Sequence, residues 1–163
     1  MNHEESIKLL NAAVADELAA VHQYMYFHFH LDDQGFAPIA NLFKRTAIIE
    51  MGHVEKLAER ILFLKGDVKM VPACAVESIL DPVKILEKAT AMERASAEFY
   101  NQAAKKAAEN LDSASKQLFE SLVKDEEGHY DEFDKQQEHI RHFGPAYLAL
   151  QSFGKEFAAK TGA

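Results

Sequence analysis

The stretch Glu50-Met51-Gly52-His53 places a carboxylate and an imidazole three residues apart, which on a helix is one face. The spacing returns as Glu126-Glu127-Gly128-His129. Each pair has a lone glutamate thirty-three residues upstream, Glu17 before Glu50 and Glu93 before Glu126. Each lone glutamate is followed seven residues on by a tyrosine, Tyr24 and Tyr100. One offset relates them all: 93 − 17, 126 − 50, 129 − 53 and 100 − 24 each give 76. The chain reads as two copies of one functional unit, each supplying two carboxylates and one imidazole. Together they suit a pair of transition-metal ions, with Fe, Mn, Co and Zn all accepting such ligands. The expected arrangement has Glu50 and Glu126 bridging, while Glu17 with His53 and Glu93 with His129 each hold one ion. Chance Glu-x-x-His pairs on charged helices would not bring lone glutamates and tyrosines at the same offset. Tyr24 either hydrogen-bonds a ligand carboxylate or yields an electron during oxidation, or else is a core tyrosine with a satisfied hydroxyl. For Tyr100 the expectation is support of a ligand or packing.

The elements that must position these residues are all helical. A first helix over about 4–31 has Leu10, Val14, Glu17, Val21, Tyr24, His28 and Leu31 in alternating steps of four and three, the inward seam of a bundle helix. Asp32 to Gly35 is a turn, and Pro38 suits the start of a second helix that Gly66 ends. Its seam is Ile39, Phe43, Thr46, Glu50, His53, Leu57, Arg60 and Leu64, with Ile61 able to take the place of Arg60. The stretch 66–82 is apolar enough around Val68 to Val76 to lie along the bundle. It serves as a crossover, so that the third helix starts at the same end as the second. Asp81-Pro82 and Asp112-Ser113 read as starts of the third and fourth helices. Their seams are Leu86, Ala89, Glu93, Ser96, Tyr100, Ala103 and Ala107, then Ser115, Phe119, Leu122, Glu126, His129, Phe133, Gln136 and Ile140. After Gly144-Pro145 a short fifth helix, to about Phe157, has Tyr147, Leu148, Leu150 and Phe153 for a subunit contact to cover. The expected fold is all-α, one domain over 1–163, with the bundle over about 4–142 and the short helix over about 145–157.

The 163 residues carry 18 basic and 26 acidic side chains, net −8, which argues against nucleic acid as a partner and suits attraction of cations. Cys74 is the single cysteine, so no internal disulfide or cysteine-based metal cluster is expected; its expected role is that of a small apolar residue. No apolar run is long enough to cross a bilayer, and Met1 to Glu5 do not look like a signal peptide, which makes the cytoplasm the expected location.

On the segments Glu17 to Tyr24 (ELAAVHQY), Glu50 to His53 with Ala58-Glu59-Arg60-Ile61-Leu62, Glu93, and Glu126 to His129, the chain resembles the bacterioferritins over nearly its whole length. A glutamate from each of two helices and Glu-x-x-His from each of two others is the known ligand pattern of ferritin-like di-iron proteins, so the match is to a pattern already described. The resemblance implies a ferritin-like four-helix bundle and a ferroxidase centre at Glu17, Glu50, His53, Glu93, Glu126 and His129, with two iron ions per subunit. It implies oxidation of Fe(II) by dioxygen or hydrogen peroxide, and ferric mineral stored in a hollow shell of twenty-four subunits, with twelve as the alternative. It also implies haem b shared between two subunits through Met51, although Gly52 is smaller than the residue expected beside it. An inner-surface iron site found in some of these proteins is not expected, because Arg45, Thr46 and Ile49 cannot supply its ligands. His22, His28 and His30 are expected to be solvated or locally hydrogen-bonded. A rubrerythrin-like peroxidase is an alternative, weakened by the lack of a four-cysteine iron domain. A DNA-protecting mini-ferritin is another, weakened by the acidic N-terminus and the complete ligand set within one chain.

Overall fold

Three of the helix ends share one piece of backbone chemistry. In this computed structural model, which describes residues 3–153, the helices are α1 His3–Asp33, α2 Ala37–Phe63, α3 Pro82–Glu109, α4 Ser113–Phe143 and α5 Pro145–Ser152. α1 ends with Gly35 at φ 90°, and the Phe36 N–H returns to Leu31 O at 2.8 Å. α2 and α3 end in the same closed motif, but with Lys65 (φ 64°) and Leu111 (φ 58°) in the left-handed position. Gly66 therefore does not supply the left-handed residue expected of it. It is the next residue, whose N–H bonds Ile61 O at 2.9 Å, and its bare Cα is required by packing. A Cβ there would lie 2.8 Å from Ile7 Cγ2.

The crossover occupies the residues between α2 and α3, and polar anchors hold it along α1. Asn11 bonds Asp67 O and the Lys69 N–H, Ala15 O receives the Ala73 N–H, Gln23 bonds both backbone groups of Glu77, and Gln34 bonds Leu80 O. The order of these contacts shows the segment travelling the length of α1, so α3 begins beside the start of α2. Val68 and Ile79 pack on the core as well, while Met70, Val71 and Val76 are exposed, so the segment is docked by Asn11 and Gln23 together with apolar contacts near its two ends. Cys74 is exposed on it.

The core forms two clusters. One joins Leu10, Val14, Leu57, Ile61, Tyr100, Ala107, Phe119 and Leu122; the other joins Tyr24, Phe27, Leu31, Ile39, Phe43, Leu86, Ala89 and Phe133. Between them the seams carry Glu17, Glu50, His53, Glu93, Glu126 and His129, all buried. Most seam positions are buried as expected, but Val21, His28, Ser96, Gln136 and Ile140 are only partly so. On α1 the inward stripe keeps Leu10, Val14, Glu17, Tyr24 and Leu31 and takes in Ala13, Ala20 and Phe27 in place of Val21 and His28. Tyr147 and Leu148 of α5 pack on the second cluster, while Leu150 and Phe153 are exposed. The expected continuation of this helix to Phe157 lies outside the described residues.

Arg60, the polar break in the second seam, reaches across to the start of α4. It pairs with buried Asp112 at 2.6 Å and donates to Ser115 Oγ at 2.9 Å, while Ile61 takes the core place. Burial alone would push the Asp112 carboxyl up, but hydrogen bonds from Ser115 and Arg60 hold it below its ordinary value of 3.8. A depressed folded value contributes stability above the unfolded one and loses it as pH falls through the folded one. Asp112→Asn keeps a cap but removes the charge. It is expected to cost about 2 kcal/mol at neutral pH, and the melting temperatures of variant and parent should converge below pH 3.8. A gap independent of pH would show that the charge is not what matters.

Candidate metal centre

The four long helices each present their polar residue at the same level, because every seam holds it mid-helix between apolar turns. Glu17 comes from α1, Glu50 and His53 from α2, Glu93 from α3, and Glu126 and His129 from α4. None is more than 7% exposed. All six expected residues are thus brought together.

His53 Nδ1 faces Glu50 Oε2 at 2.8 Å, Glu17 Oε1 at 3.2 Å and Glu126 Oε1 at 3.3 Å. His129 Nδ1 faces Glu50 Oε1 at 2.9 Å, Glu93 Oε2 at 3.7 Å and Glu126 Oε2 at 3.9 Å. The donor atoms form two groups, Glu17–Glu50–His53–Glu126 and Glu50–Glu93–Glu126–His129, each within 4.8 Å. Glu50 and Glu126 belong to both, each turning one oxygen to each imidazole. The two rings lie 6.1 Å apart and nearly parallel. Both Glu50 oxygens, Glu126 Oε1 and His129 Nδ1 are buried without an aligned hydrogen bond. Lone pairs that converge at close range without donor-to-acceptor alignment are what a cation between them would satisfy. By ligand type the groups fit Fe, Mn, Co or Zn.

Without metal the layer balances its own charge. Burial pushes Glu17 and Glu93 well above the ordinary carboxylate range, and neighbouring Glu50 and Glu126 reinforce this. Burial also acts on Glu50 and Glu126, but contacts with His129 and His53 outweigh it; Glu50 is lowered and Glu126 falls to about 2. Burial would neutralise the imidazoles, yet their carboxylate partners drive both up to about 12. Two imidazolium ions thus face Glu50 and Glu126, while burial disfavours the charged forms of Glu17 and Glu93.

A ferritin-like domain family model matches residues 7–143. Bacterioferritin from Rhodobacter capsulatus is 39% identical over 145 residues, covering 88% of this chain and 89% of the relative. Bacterioferritin from Desulfovibrio desulfuricans is 38% identical over 149 residues, covering 88% and 80%. The chain belongs to the bacterioferritin family. The solved D. desulfuricans bacterioferritin, described by its diiron site in different catalytic states, superposes with a TM-score of 0.90 at 35% identity, over 92% of this chain and 88% of that one. R. capsulatus bacterioferritin, described with a metal-free dinuclear site and a haem iron on a crystallographic special position, gives 0.87 at 36% identity, over 91% and 93%.

Both tyrosines touch the layer in this bacterioferritin chain. The Tyr24 hydroxyl donates to Glu93 Oε1 and the Tyr100 hydroxyl to Glu17 Oε1. Burial, then the adjacent carboxylates, raise both phenols well above their ordinary value, so both keep their protons. One contact was not anticipated: Asp125 Oδ2 lies 3.2 Å from His53 Nε2. It fixes the proton on that nitrogen and leaves Nδ1 to face the carboxylates. The signal in the sequence is a second carboxylate immediately before Glu126, which has no counterpart at the offset of 76, where Ile49 stands.

Met51 stands outside the layer, 57% exposed, with Ile48 one turn earlier 54% exposed on the same face. Open space surrounds Gly52, where a Cβ would meet nothing within 4 Å. His28 Nδ1 contacts Ala40 O at 2.8 Å, His30 lies against Tyr26, and His22 is exposed, in line with the local roles expected of them.

Proposed function

We propose that the chain stores and detoxifies iron, oxidising Fe(II) at a dinuclear centre formed by Glu17, Glu50, His53, Glu93, Glu126 and His129. The observation that carries this reading is the pair of four-residue donor groups sharing Glu50 and Glu126. Glu50 and Glu126 would be shared by both ions, and Glu17 with His53 and Glu93 with His129 would complete the two ends. The apolar clusters above and below exclude water from the layer. Asp125 keeps His53 in the ligating tautomer, and the two phenols support the end carboxylates. Two ferrous ions would supply one electron each, becoming Fe(III), and with two protons from solvent these take dioxygen to hydrogen peroxide, or hydrogen peroxide to two waters.

The same reading places the chain in the cytoplasm and in a hollow shell of twenty-four copies, with α5, Leu150 and Phe153 among the surfaces covered on assembly. Among the described residues no helix is long and apolar enough to cross a membrane. Met51 offers an accessible thioether on an apolar strip. With Met51 of a second copy it would hold haem b, a one-electron redox group.

The test is an anaerobic Fe(II) titration of metal-free protein, followed by rapid mixing with dioxygen and, separately, with peroxide. Saturation of a fast oxidation phase at about two irons per chain is expected of a dinuclear donor set. Oxidation no faster than in buffer with either oxidant would overturn the ferroxidase reading.

A further inference from the structure

The phenol contacts are crossed. Tyr24 and Glu17 lie on α1, Tyr100 and Glu93 on α3, yet each phenol binds the carboxylate of the other helix. Both bonds are buried, and each lands on a carboxylate that belongs to only one donor group. The carboxylates shared by both groups, Glu50 and Glu126, receive neither. We propose that Tyr100 is a positioning residue for the ion held by Glu17 and His53, the counterpart of Tyr24 for the ion held by Glu93 and His129, so that the two ends are controlled separately.

The physical basis is the loading of one oxygen. Tyr100 donates to Oε1 of Glu17, and Tyr24 donates to Oε1 of Glu93. A hydrogen bond to one oxygen lowers its basicity and leaves the other as the better donor to a metal. At Glu93 the unloaded Oε2 is the oxygen that faces His129 Nδ1, whereas at Glu17 the loaded Oε1 also faces His53 Nδ1 at 3.2 Å; each phenol thus fixes the rotation of its end carboxylate, while Glu50 and Glu126, with both oxygens free of phenols, reach both imidazoles. The neighbours hold each phenol in place. Tyr24 is wedged against Phe43 and Phe133, with ring centroids 5.7 and 5.6 Å away. Tyr100 sits against Phe99 and Phe119, at 5.5 and 6.1 Å. The Tyr100 aromatic body is thus core, but its hydroxyl has a separate task that phenylalanine cannot perform.

This inference rests on the dinuclear reading, and the experiment separates the two. Co(II) is titrated anaerobically into the metal-free full chain, its Tyr100→Phe and Tyr24→Phe variants and the double variant, following the ligand-field absorption. Tyr100→Phe is expected to weaken one of the two binding steps about 10-fold or more, as is usual when an outer partner of a metal ligand is removed. Its other step and its band should be unchanged, and the double variant should weaken both. A role in packing alone would instead lower the melting temperature of the metal-free protein and leave both steps intact, which overturns the proposal. So would equal weakening of both steps by Tyr100→Phe. In the unsubstituted protein the tyrosine ultraviolet difference spectrum must change with each added ion, a readout that holds even if a variant fails to fold; a flat spectrum overturns the proposal. A parent chain that binds no Co(II) overturns the dinuclear reading, and this one with it.

Discussion

Glu50→Ala is expected to abolish tight loading of both metal positions, whereas Glu17→Ala should impair one. Glu50 places one oxygen 2.8 Å from His53 Nδ1 and the other 2.9 Å from His129 Nδ1, so its loss removes a donor from both groups at once. It also leaves two imidazolium ions with one fewer carboxylate in a buried layer, where unbalanced charge is costly. Removing an outer partner of a ligand costs about 10- to 100-fold in affinity, and loss of a shared ligand should exceed about 100-fold at each position. Glu17 belongs to one group only, and the second position keeps Glu50, Glu93, Glu126 and His129. Co(II) titration distinguishes these outcomes: two steps for the parent, one for Glu17→Ala and none at micromolar metal for Glu50→Ala. One retained step in Glu50→Ala would show that Glu50 does not bridge.

Metal loading at neutral pH should release about two protons or more for each pair of ions, and binding should weaken as pH falls. Both imidazoles stand at about 12 in the metal-free layer and so carry protons at neutral pH. A metal needs them neutral at the ligating nitrogen. Glu17 and Glu93, raised by burial, add to the count wherever they are still protonated. The sign follows from competition: lower pH supplies the ligand that metal must displace. With two protons released, the product of the two binding constants falls about 100-fold for each pH unit. A pH-stat titration with Co(II) counts the protons directly. Uptake with no proton release, or affinity constant between pH 6 and 8, would mean that the metal-free layer does not hold itself together by imidazolium–carboxylate pairing.

The two tests probe different properties of one layer. The first asks how the ligands are shared, and the second asks what occupies their lone pairs before metal arrives. Imidazolium–carboxylate pairing, together with burial that disfavours charge on Glu17 and Glu93, is how four carboxylates lie within one bundle without forcing it apart.

What the sequence determined by itself was the identity and grouping of the six polar residues. Helical spacing places Glu50 with His53 and Glu126 with His129 on one face, and the constant offset ties Glu17 and Glu93 to them. Local chemistry also set the starts of α3 and α4, since Asp81 and Asp112 cap their own helices within three residues. What only the tertiary structure decided was rotation about the helix axes and contact between helices. On α1 an apolar stripe through Val21 and His28 and one through Ala20 and Phe27 are both open to the sequence. Packing against neighbouring helices selects the second. The same rotation decides that Tyr100 reaches Glu17, eighty-three residues away, and that Asp125 reaches His53 across seventy-two. Such pairings leave no periodic trace, because a hydrogen bond between helices depends on where two axes cross and not on spacing along either one.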